Sequence, residues 1–410
     1  MFKKVNLLTQ ILVAFVIAVI LGLAFGESIS VLQPLGDLFL RLIKFIIVPL
    51  ILSSLIIGVA STGDPKELGR IGGKTILYYL VTTGIAVVIA LAFAFIISPG
   101  KGLDIDATPT EEVEIGETEG VIQTFLNIVP ENPFEAFTDG NILQIIFFAI
   151  FVGLGITLVG KKADPVYNFF DGMAEIMYKI TGIVMQFAPI GILGLVAPIV
   201  GEYGAAVLLP LLKVIVAVAI ACVVHAVIVY ATAVKTFANM SPLKFFKGIT
   251  PAAVVAFSTA SSAGTLPMTL KNTQENLGVS QKVSSFVLPL GATINMDGTA
   301  IYQGVAVVFI AQFYGLELGL IELGTVVLTT VLASIGTAGV PGAGMIMLAM
   351  VLSSIGMPLE GIALIAGIDR ILDMFRTTVN IVGDASAAVV VQGTEDKRLK
   401  KELAKENVVQ

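Results

Sequence analysis

The sequence predicts an all-α membrane protein with eight membrane-spanning helices and two re-entrant helical hairpins. Three observations lead to this prediction. Of the 410 residues, 56% are hydrophobic and only 13% are charged, about half the charged fraction of a soluble domain. Apolar segments of about 20 residues, long enough to cross a bilayer, recur along the chain. Two further apolar segments are interrupted by small residues and proline, which is typical of hairpins that enter a membrane without crossing it.

Six candidate spans precede the first interrupted segment. They cover residues 7–26, 36–60, 74–98, 121–160, 165–199 and 205–235. The first follows Lys3 and Lys4, and its length and the lack of a small-residue cleavage site predict an uncleaved span rather than a secretory signal. Basic residues recur in every second connection, so the positive-inside rule places the N-terminus and the basic C-terminal tail in the cytoplasm.

The longest connection, residues 99–120, is predicted to be an external loop. Its residues 103–120 carry seven carboxylates and no basic residue. A flexible, solvated linker is the simpler interpretation of such a segment, and an ion funnel is the alternative.

The composition excludes several other kinds of site and partner. Cys222 is the only cysteine, so neither an internal disulfide nor a cysteine-based metal site is expected. The sequence has no basic patch for nucleic acid and no glycine-rich nucleotide loop followed by lysine. We therefore expect no nucleic-acid partner.

The two interrupted segments are residues 244–272 and 320–355. The first is broken at 258–267 (STASSAGTLP) and the second at 334–344 (SIGTAGVPGAG). A helix break at membrane depth is tolerated only against protein or a water-filled cavity, so the two breaks predict a transport site. Two more spans complete the topology, at residues 283–312 and 360–391.

The seventh span contains the sequence NMDGT at residues 295–299. Asn295, Asp297 and Thr299 supply an amide, a carboxylate and a hydroxyl, and Gly298 permits an unwound turn beside them. Unwound carbonyls together with carboxylates bind hard cations such as Na⁺, so the motif predicts a cation site. A glycine that only allows close helix packing is the alternative.

The last span carries a row of polar side chains. They are Asp369, Arg370, Asp373, Arg376, Asn380 and Asp384. All but Arg370 are three or four residues apart, so on an α-helix they fall within a stripe about 80° wide. Charges at bilayer depth are costly, which indicates that the stripe serves a function. A purely structural ion pair between Asp373 and Arg376 is the alternative for those two residues.

Four motifs in this order, SSAGTLP, NMDGT, GTAGVPGAG and DRILDMFRTTVNIVGD, resemble those of the dicarboxylate/amino acid:cation symporter family. This family includes bacterial and archaeal glutamate and aspartate transporters. The resemblance covers the whole chain in layout and is most specific across residues 257–391. It implies the glutamate-transporter fold with inverted repeats, a homotrimer in the plasma membrane, and symport of L-glutamate or L-aspartate. The driving ion would be Na⁺, with neither an organic cofactor nor an enzymatic reaction.

The resemblance also implies a role for each matching position. Arg376 would pair with the substrate's side-chain carboxylate and Asp373 with its amino group. The other substrate positions would be Ser262, Thr299, Val340, Gly344, Thr377 and Asn380, supported by Arg370 and Asp369. One cation site would use Gly291, Asn295, Asn380 and Asp384. A second would use Thr293, Ser334, Ile335 and Thr337, and a third Tyr79, Thr82, Thr83, Asn295 and Asp297.

A division into a static scaffold and a moving transport core follows from the same resemblance. The scaffold would comprise residues 1–73 (spans 1–2) and 121–199 (spans 4–5), and the core residues 74–98 and 205–391. The tail, residues 392–410, would lie in the cytoplasm, and the second hairpin would act as a gate.

One position departs from the archaeal aspartate transporters of this family. Those proteins carry an arginine in the first hairpin, where this chain has Ala260. Arg370 takes its place in the last span, as in many bacterial and animal glutamate carriers. Because Arg370 lies at the edge of the stripe, we expect it to support Asp373 or Arg376 rather than to touch substrate.

Proton coupling is the nearest alternative function. Family members that look proton-coupled tend to lack a carboxylate at the position of Asp384, so its presence favours Na⁺. His225, the only histidine, is expected to be a packed, hydrogen-bonded residue rather than a proton relay.

An intramembrane aspartyl protease and a channel are more distant alternatives. The protease would carry Gly-x-Gly-Asp, whereas residues 381–384 of this chain read IVGD. A channel would not need an amine-pairing Asp373 beside a carboxylate-pairing Arg376.

Overall fold

The computed structural model describes residues 7–60, 69–101, 129–139, 141–335 and 342–409. Almost all of these residues are helical and none lies in a β-strand, which confirms the all-α prediction. The acidic stretch 103–120 and the predicted ligands Thr337 and Val340 lie outside the described residues.

The helices are numbered here in chain order. The first six are α1 (Leu7–Phe25), α2 (Gln33–Ala60), α3 (Gly69–Ile97), α4 (Pro133–Asp139), α5 (Ile142–Val159) and α6 (Asp164–Tyr203). The next six are α7 (Leu208–His225), α8 (Ala231–Ala238), α9 (Pro242–Thr259), α10 (Ser262–Glu275), α11 (Gln281–Ile294) and α12 (Asp297–Phe313). The last four are α13 (Leu320–Ser334), α14 (Ala343–Ser354), α15 (Gly361–Ala366) and α16 (Asp369–Val409). A π-helical turn, Ala226–Tyr230, joins α7 to α8.

Several helical stretches are long and apolar enough to cross a bilayer. Within the described residues they are Thr9–Phe39, Arg70–Ile97, Gly204–Ala238 and Val283–Phe313, with Phe147–Val184 and Gln186–Glu202 as a bent pair that can count as a fifth. These stretches support a multi-pass membrane protein. The count of eight spans and two hairpins stays a prediction.

The interruptions predicted from sequence coincide with helix ends. Ala260 and Ser261 separate α9 from α10, Ala260 has a left-handed φ of 50°, and the Ser261 hydroxyl caps α10 by accepting from the Gly264 N–H at 3.0 Å. Asn295 and Met296 separate α11 from α12 within the NMDGT motif. In the second interrupted segment α13 ends at residue 334 and α14 begins at residue 343.

Two of the predicted spans are less regular than expected. The candidate span 121–160 contains two helices, α4 and α5, in its described part. The candidate span 360–391 is broken between α15 and α16, and α16 continues through the predicted tail as one 41-residue helix. The polar row of the last span therefore begins at the first residue of α16.

The helices pack in two groups. In one group, α6 packs along α1 and α2, and α2 also packs on α5. In the other group, α3 packs against α12, while α16 packs against α9, α11 and α12. Every residue of α12 except Gln312 is buried, as in a helix that is surrounded by protein on all sides. The polar NMDGT motif at its first turn is therefore held at the centre of the second group.

The C-terminal half of α16 is tied to the start of α3 by ion pairs. The Arg70 guanidinium donates to both carboxylate oxygens of Glu395, and Lys74 Nζ lies 2.8 Å from Glu395 Oε1. The hydrogen bonds from Arg70 lower the pKa of Glu395 below its ordinary value. A lowered pKa means that the stabilisation is present at neutral pH and is lost as the pH falls through the folded-state pKa.

Replacing Glu395→Gln should therefore lower the melting temperature at pH 7 by a small amount, about 1 °C, because the pairs are partly exposed. The difference from the wild type should vanish in acid, where Glu395 is protonated in both states. Melting curves of the purified protein in detergent at pH 7 and at about pH 2, below both pKa values, measure this, with the exposed Glu317→Gln as the matched control. An equal difference at both pH values would contradict the assignment.

Candidate functional site

One face of α16 carries the polar row predicted from sequence. Asp369, Asp373, Arg376, Asn380 and Asp384 are each 5% exposed or less. The face lies against the first turn of α12 and the start of α14. The row therefore forms a wall inside the protein rather than a surface stripe.

Arg376 is held by two carboxylates of its own helix. Its Nη1 donates to Asp369 Oδ1 at 2.8 Å, and its Nη2 lies 2.9 Å from Asp373 Oδ1. The guanidinium carbon lies 4.3 Å from the ring centre of Tyr302, and a side chain at Gly344 would collide with the guanidinium. Nη2 has no aligned hydrogen-bond acceptor among the described residues. The ion pair considered as an alternative is thus present, but the Nη2 contact with Asp373 is not an aligned hydrogen bond.

Asp373 connects both interrupted segments to the polar row. Its Oδ2 accepts from the backbone N–H of Gly342 at 3.3 Å and lies 3.6 Å from Arg370 Nη1, and the Thr377 hydroxyl lies 3.4 Å from Oδ1. Arg370 Nη2 donates to the carbonyl of Thr259, at the end of α9, at 3.1 Å. Arg370 thus reaches from the edge of the row to the first interrupted segment, and its carboxylate neighbour is Asp373.

Asn380 closes the first turn of α12. Its Oδ1 accepts from the Gly298 N–H at 2.8 Å, and its Nδ2 lies 3.3 Å from the Thr299 hydroxyl and 3.2 Å from Met296 Sδ. The bond from the Gly298 N–H to Asn380 Oδ1 satisfies one of the N–H groups that have no partner within the helix at its start. Gly298 does not have a positive φ, and a Cβ there would lie 2.7 Å from Arg376 Cα. Close packing, rather than an unusual turn, is therefore what requires glycine at this position.

Replacing Gly298→Ala should cost about 1–3 kcal/mol of stability, because the added methyl group forces α12 and α16 apart. Transport should fall about tenfold or more, since the displaced backbone carries Arg376. Melting temperature and uptake measure the two effects. Gly84→Ala in α3, where a Cβ would meet no atom within 4 Å, is the matched control and should change neither. Wild-type uptake by the Gly298 variant would contradict this packing.

Asp384 lies beside the amide of Asn295 and packs against Gly291. Asn295 Nδ2 donates to Asp384 Oδ1 at 2.9 Å, while Asn295 Oδ1 is buried and has no partner among the described residues. A Cβ at Gly291 would collide with the Asp384 carboxylate and lie 2.6 Å from the Tyr79 hydroxyl, which itself donates to a backbone carbonyl of α11 at 2.9 Å. The Asp384 carboxylate and the Tyr79 hydroxyl thus occupy the space that a side chain at position 291 would need.

The carboxylate of Asp297 contacts three polar side chains from two other helical segments. Thr83 Oγ1 donates to Oδ1 at 2.6 Å, the Tyr230 hydroxyl donates to Oδ2 at 2.8 Å, and His225 Nε2 lies 3.2 Å from Oδ2. All four residues are completely buried. His225 is packed and hydrogen-bonded, as the sequence predicts, but its partner is the carboxylate of the NMDGT motif.

Other predicted ligands are not joined to this cluster. The hydroxyls of Thr82, Thr293 and Ser334 each donate to a carbonyl three residues earlier in their own helix. Among the described residues, no hydrogen bond connects Thr293 to Ser334, which ends α13, or to Ile335 beside it. Ser262 is buried in the first turn of α10.

Three aromatic side chains contact Arg376 or Asp297, and the sequence did not predict these contacts. Tyr302 packs on Arg376, and Tyr230 and His225 bind Asp297. Tyr302 lies three residues after Thr299 in an otherwise apolar helix, which is a weak signal for a shared site. For Tyr230 no local signal exists, because an α-helix would not bring it to the same face as His225.

Comparisons with known proteins agree with the membrane architecture. The model of the sodium:dicarboxylate symporter family matches residues 7–394. The proton/sodium-glutamate symport protein of Geobacillus stearothermophilus is 39% identical over 403 residues, covering 96% of this chain and 95% of that protein. The proton/glutamate-aspartate symporter of Escherichia coli is 37% identical over 425 residues (99% and 97%). The C4-dicarboxylate transport protein of Bacillus subtilis is 35% identical over 398 residues (96% and 94%). The chain therefore belongs to the sodium:dicarboxylate symporter family and is a membrane transporter, not an enzyme.

Proposed function

We propose that this secondary symporter carries L-glutamate or L-aspartate and is driven by the Na⁺ gradient. The observation that carries the proposal is that two unlike polar environments lie side by side inside the protein. Arg376 Nη2 contacts Asp373 without an aligned hydrogen bond, while Asp297 and Asp384 lie among hydroxyl and amide groups. An acidic amino acid and a hard cation match these two environments.

The substrate class follows from the charges at the α16 wall. The planar fork of Arg376 suits a carboxylate, and Nη2, which has no aligned hydrogen bond, can donate to a substrate oxygen while Nη1 stays with Asp369. A plain C4-dicarboxylate offers no ammonium group to Asp373, whereas an acidic amino acid does. The backbone N–H of Gly342 and the start of α14 lie against the same carboxylate, which supports the second hairpin as the gate.

The cation sites are supported by the donor set around Asp297 and Asp384. No lysine or arginine pairs with either carboxylate among the side chains that the structure describes. Two buried carboxylates without a cationic partner are costly, and both repel an anionic substrate. Na⁺ would neutralise them, and the unpartnered Asn295 Oδ1 is an oxygen ligand of the kind it takes. Coupling then arises because substrate and cation stabilise one closed state together.

The packing supports the division into scaffold and transport core. In this proposal α1, α2, α4, α5 and α6 form the scaffold, and α3 with α7–α15 and α16 up to residue 391 form the moving core, since the two groups pack mainly within themselves. We expect a homotrimer with cytoplasmic termini, which native mass measurement and protease accessibility of tagged ends would test.

Uptake into proteoliposomes tests the proposed function. We expect radiolabelled glutamate or aspartate to accumulate under an inward Na⁺ gradient and not under a proton gradient alone. Succinate and neutral amino acids should compete weakly. Uptake that is independent of Na⁺ and follows the proton gradient would establish proton coupling, the function that the Escherichia coli relative's name describes.

A further inference from the structure

The carboxylate of Asp297 is asymmetrically bonded. Its Oδ2 receives two donors, the Tyr230 hydroxyl at 2.8 Å and His225 Nε2 at 3.2 Å, whereas among the described residues Oδ1 receives one, the Thr83 hydroxyl at 2.6 Å. An ionised Oδ2 can only accept, so we assign the proton of His225 to Nε2 from this contact. The other ring nitrogen, Nδ1, is buried and has no partner in the described part of the chain. The imidazole therefore makes a single polar contact, and that contact is Asp297.

The two donors reach the same oxygen because the helix changes its pitch between them. His225 and Tyr230 are five residues apart, which on an α-helix places them about 140° from each other. Residues 226–230 form a π-helical turn, whose i→i+5 hydrogen bonds bring such a pair to nearly the same face. Their rings pack edge to face with centroids 4.8 Å apart. π turns are rare and often occur at functional positions, which indicates that the pairing of His225 with Tyr230 is not incidental.

A carboxylate held in this way presents one defined oxygen. The terminal torsion of aspartate is broad, so an unrestrained carboxylate turns easily. Two donors on Oδ2 stop this rotation and direct Oδ1 toward Thr83 on α3. The Thr83 hydroxyl donates to Oδ1 and retains lone pairs of its own. Oδ1 and Thr83 Oγ1 thus form a prearranged pair of oxygens.

We propose that His225 and Tyr230 are positioning residues for the coupling cation, which set the orientation of the Asp297 ligand without touching the ion. The inference rests on the proposed Na⁺ coupling. Residues that orient a metal ligand change metal affinity about 10- to 100-fold when they are removed, while they leave a neighbouring site intact. Variants of these two residues should therefore lose Na⁺ affinity and keep substrate affinity.

The test measures both affinities in purified protein. The Na⁺ concentration for half-maximal thermal stabilisation should rise about 10- to 100-fold in His225→Leu and Tyr230→Phe. His225→Gln, whose amide N–H can donate to Oδ2, should stay within about threefold of the wild type. Substrate affinity at saturating Na⁺ should stay within about twofold in every variant, since none of these side chains contacts Arg376 in the structure.

A matched control separates positioning from packing. Cys222→Ala removes a buried side chain one turn earlier on α7 and should leave the Na⁺ dependence unchanged. Tyr230→Phe keeps the ring and tests the proposal if His225→Leu does not fold. Wild-type Na⁺ dependence in Tyr230→Phe or His225→Leu, or equal damage from His225→Gln and His225→Leu, would overturn the proposal. A wild-type protein that Na⁺ does not stabilise would instead overturn Na⁺ coupling itself.

Discussion

Replacing Arg376→Cys should reduce uptake of glutamate and aspartate by about 100-fold or more, because the only buried guanidinium of the polar row would be lost. The same change leaves the buried Asp369 without its arginine partner and Asp373 with Arg370 alone, which is itself destabilising. A second variant, Arg376→Cys with Asp369→Asn, removes one of these charges and should recover the fold without recovering acidic uptake. Uptake of the labelled amino acids into proteoliposomes measures the loss.

The selectivity of the double variant is the sharper measurement. Without the guanidinium, neutral amino acids should compete better than acidic ones, a reversal that a merely misfolded protein does not produce. Arg41→Cys, at an exposed position of α2, is the matched control and should leave both uptake and selectivity unchanged. Acidic uptake that survives in the double variant would place the substrate carboxylate elsewhere.

Replacing Asp384→Asn should have opposite effects with and without Na⁺. The substitution removes a buried charge that no lysine or arginine neutralises among the described residues, and the amide can still bond Asn295. Without Na⁺ the melting temperature should therefore be unchanged or higher. With Na⁺ the wild type should gain stability by mass action, about 2.7 kcal/mol at 100 times the dissociation constant, and the variant should gain little. Melting curves over a Na⁺ series, repeated with choline, measure this difference.

Loss of the Na⁺ response in Asp384→Asn, with an unchanged or higher melting temperature without Na⁺, would identify the Asp384 carboxylate as a cation ligand. A purely structural Asp384 would lower the melting temperature in both salts when replaced. Na⁺-driven uptake should fall about 100-fold in the variant. Glu395→Gln, which removes a carboxylate further along the same helix, should leave the Na⁺ response intact. An Asp384 variant with the wild-type Na⁺ response would contradict the proposed coupling site.

Local patterns are sufficient to predict much of α16 and of the helix breaks. Side chains three or four residues apart share a helix face, so the row from Asp369 to Asp384 follows from spacing alone. The breaks at Ala260 and at Asn295 follow from small, polar and glycine residues inside apolar segments. The reason for Gly298 does not follow in this way, because the atom that excludes a side chain belongs to Arg376, 78 positions further along the chain.

The sequence by itself determined the membrane environment, the all-helical class and the stripe of charges, since these depend on composition and on the period of one helix. The tertiary structure decided which groups meet. It paired Arg376 with Asp369, brought Arg370 to the end of α9, and joined His225 and Tyr230 to Asp297. Such contacts depend on how helices distant in the chain pack against one another, and a single π turn was enough to change which face two residues share.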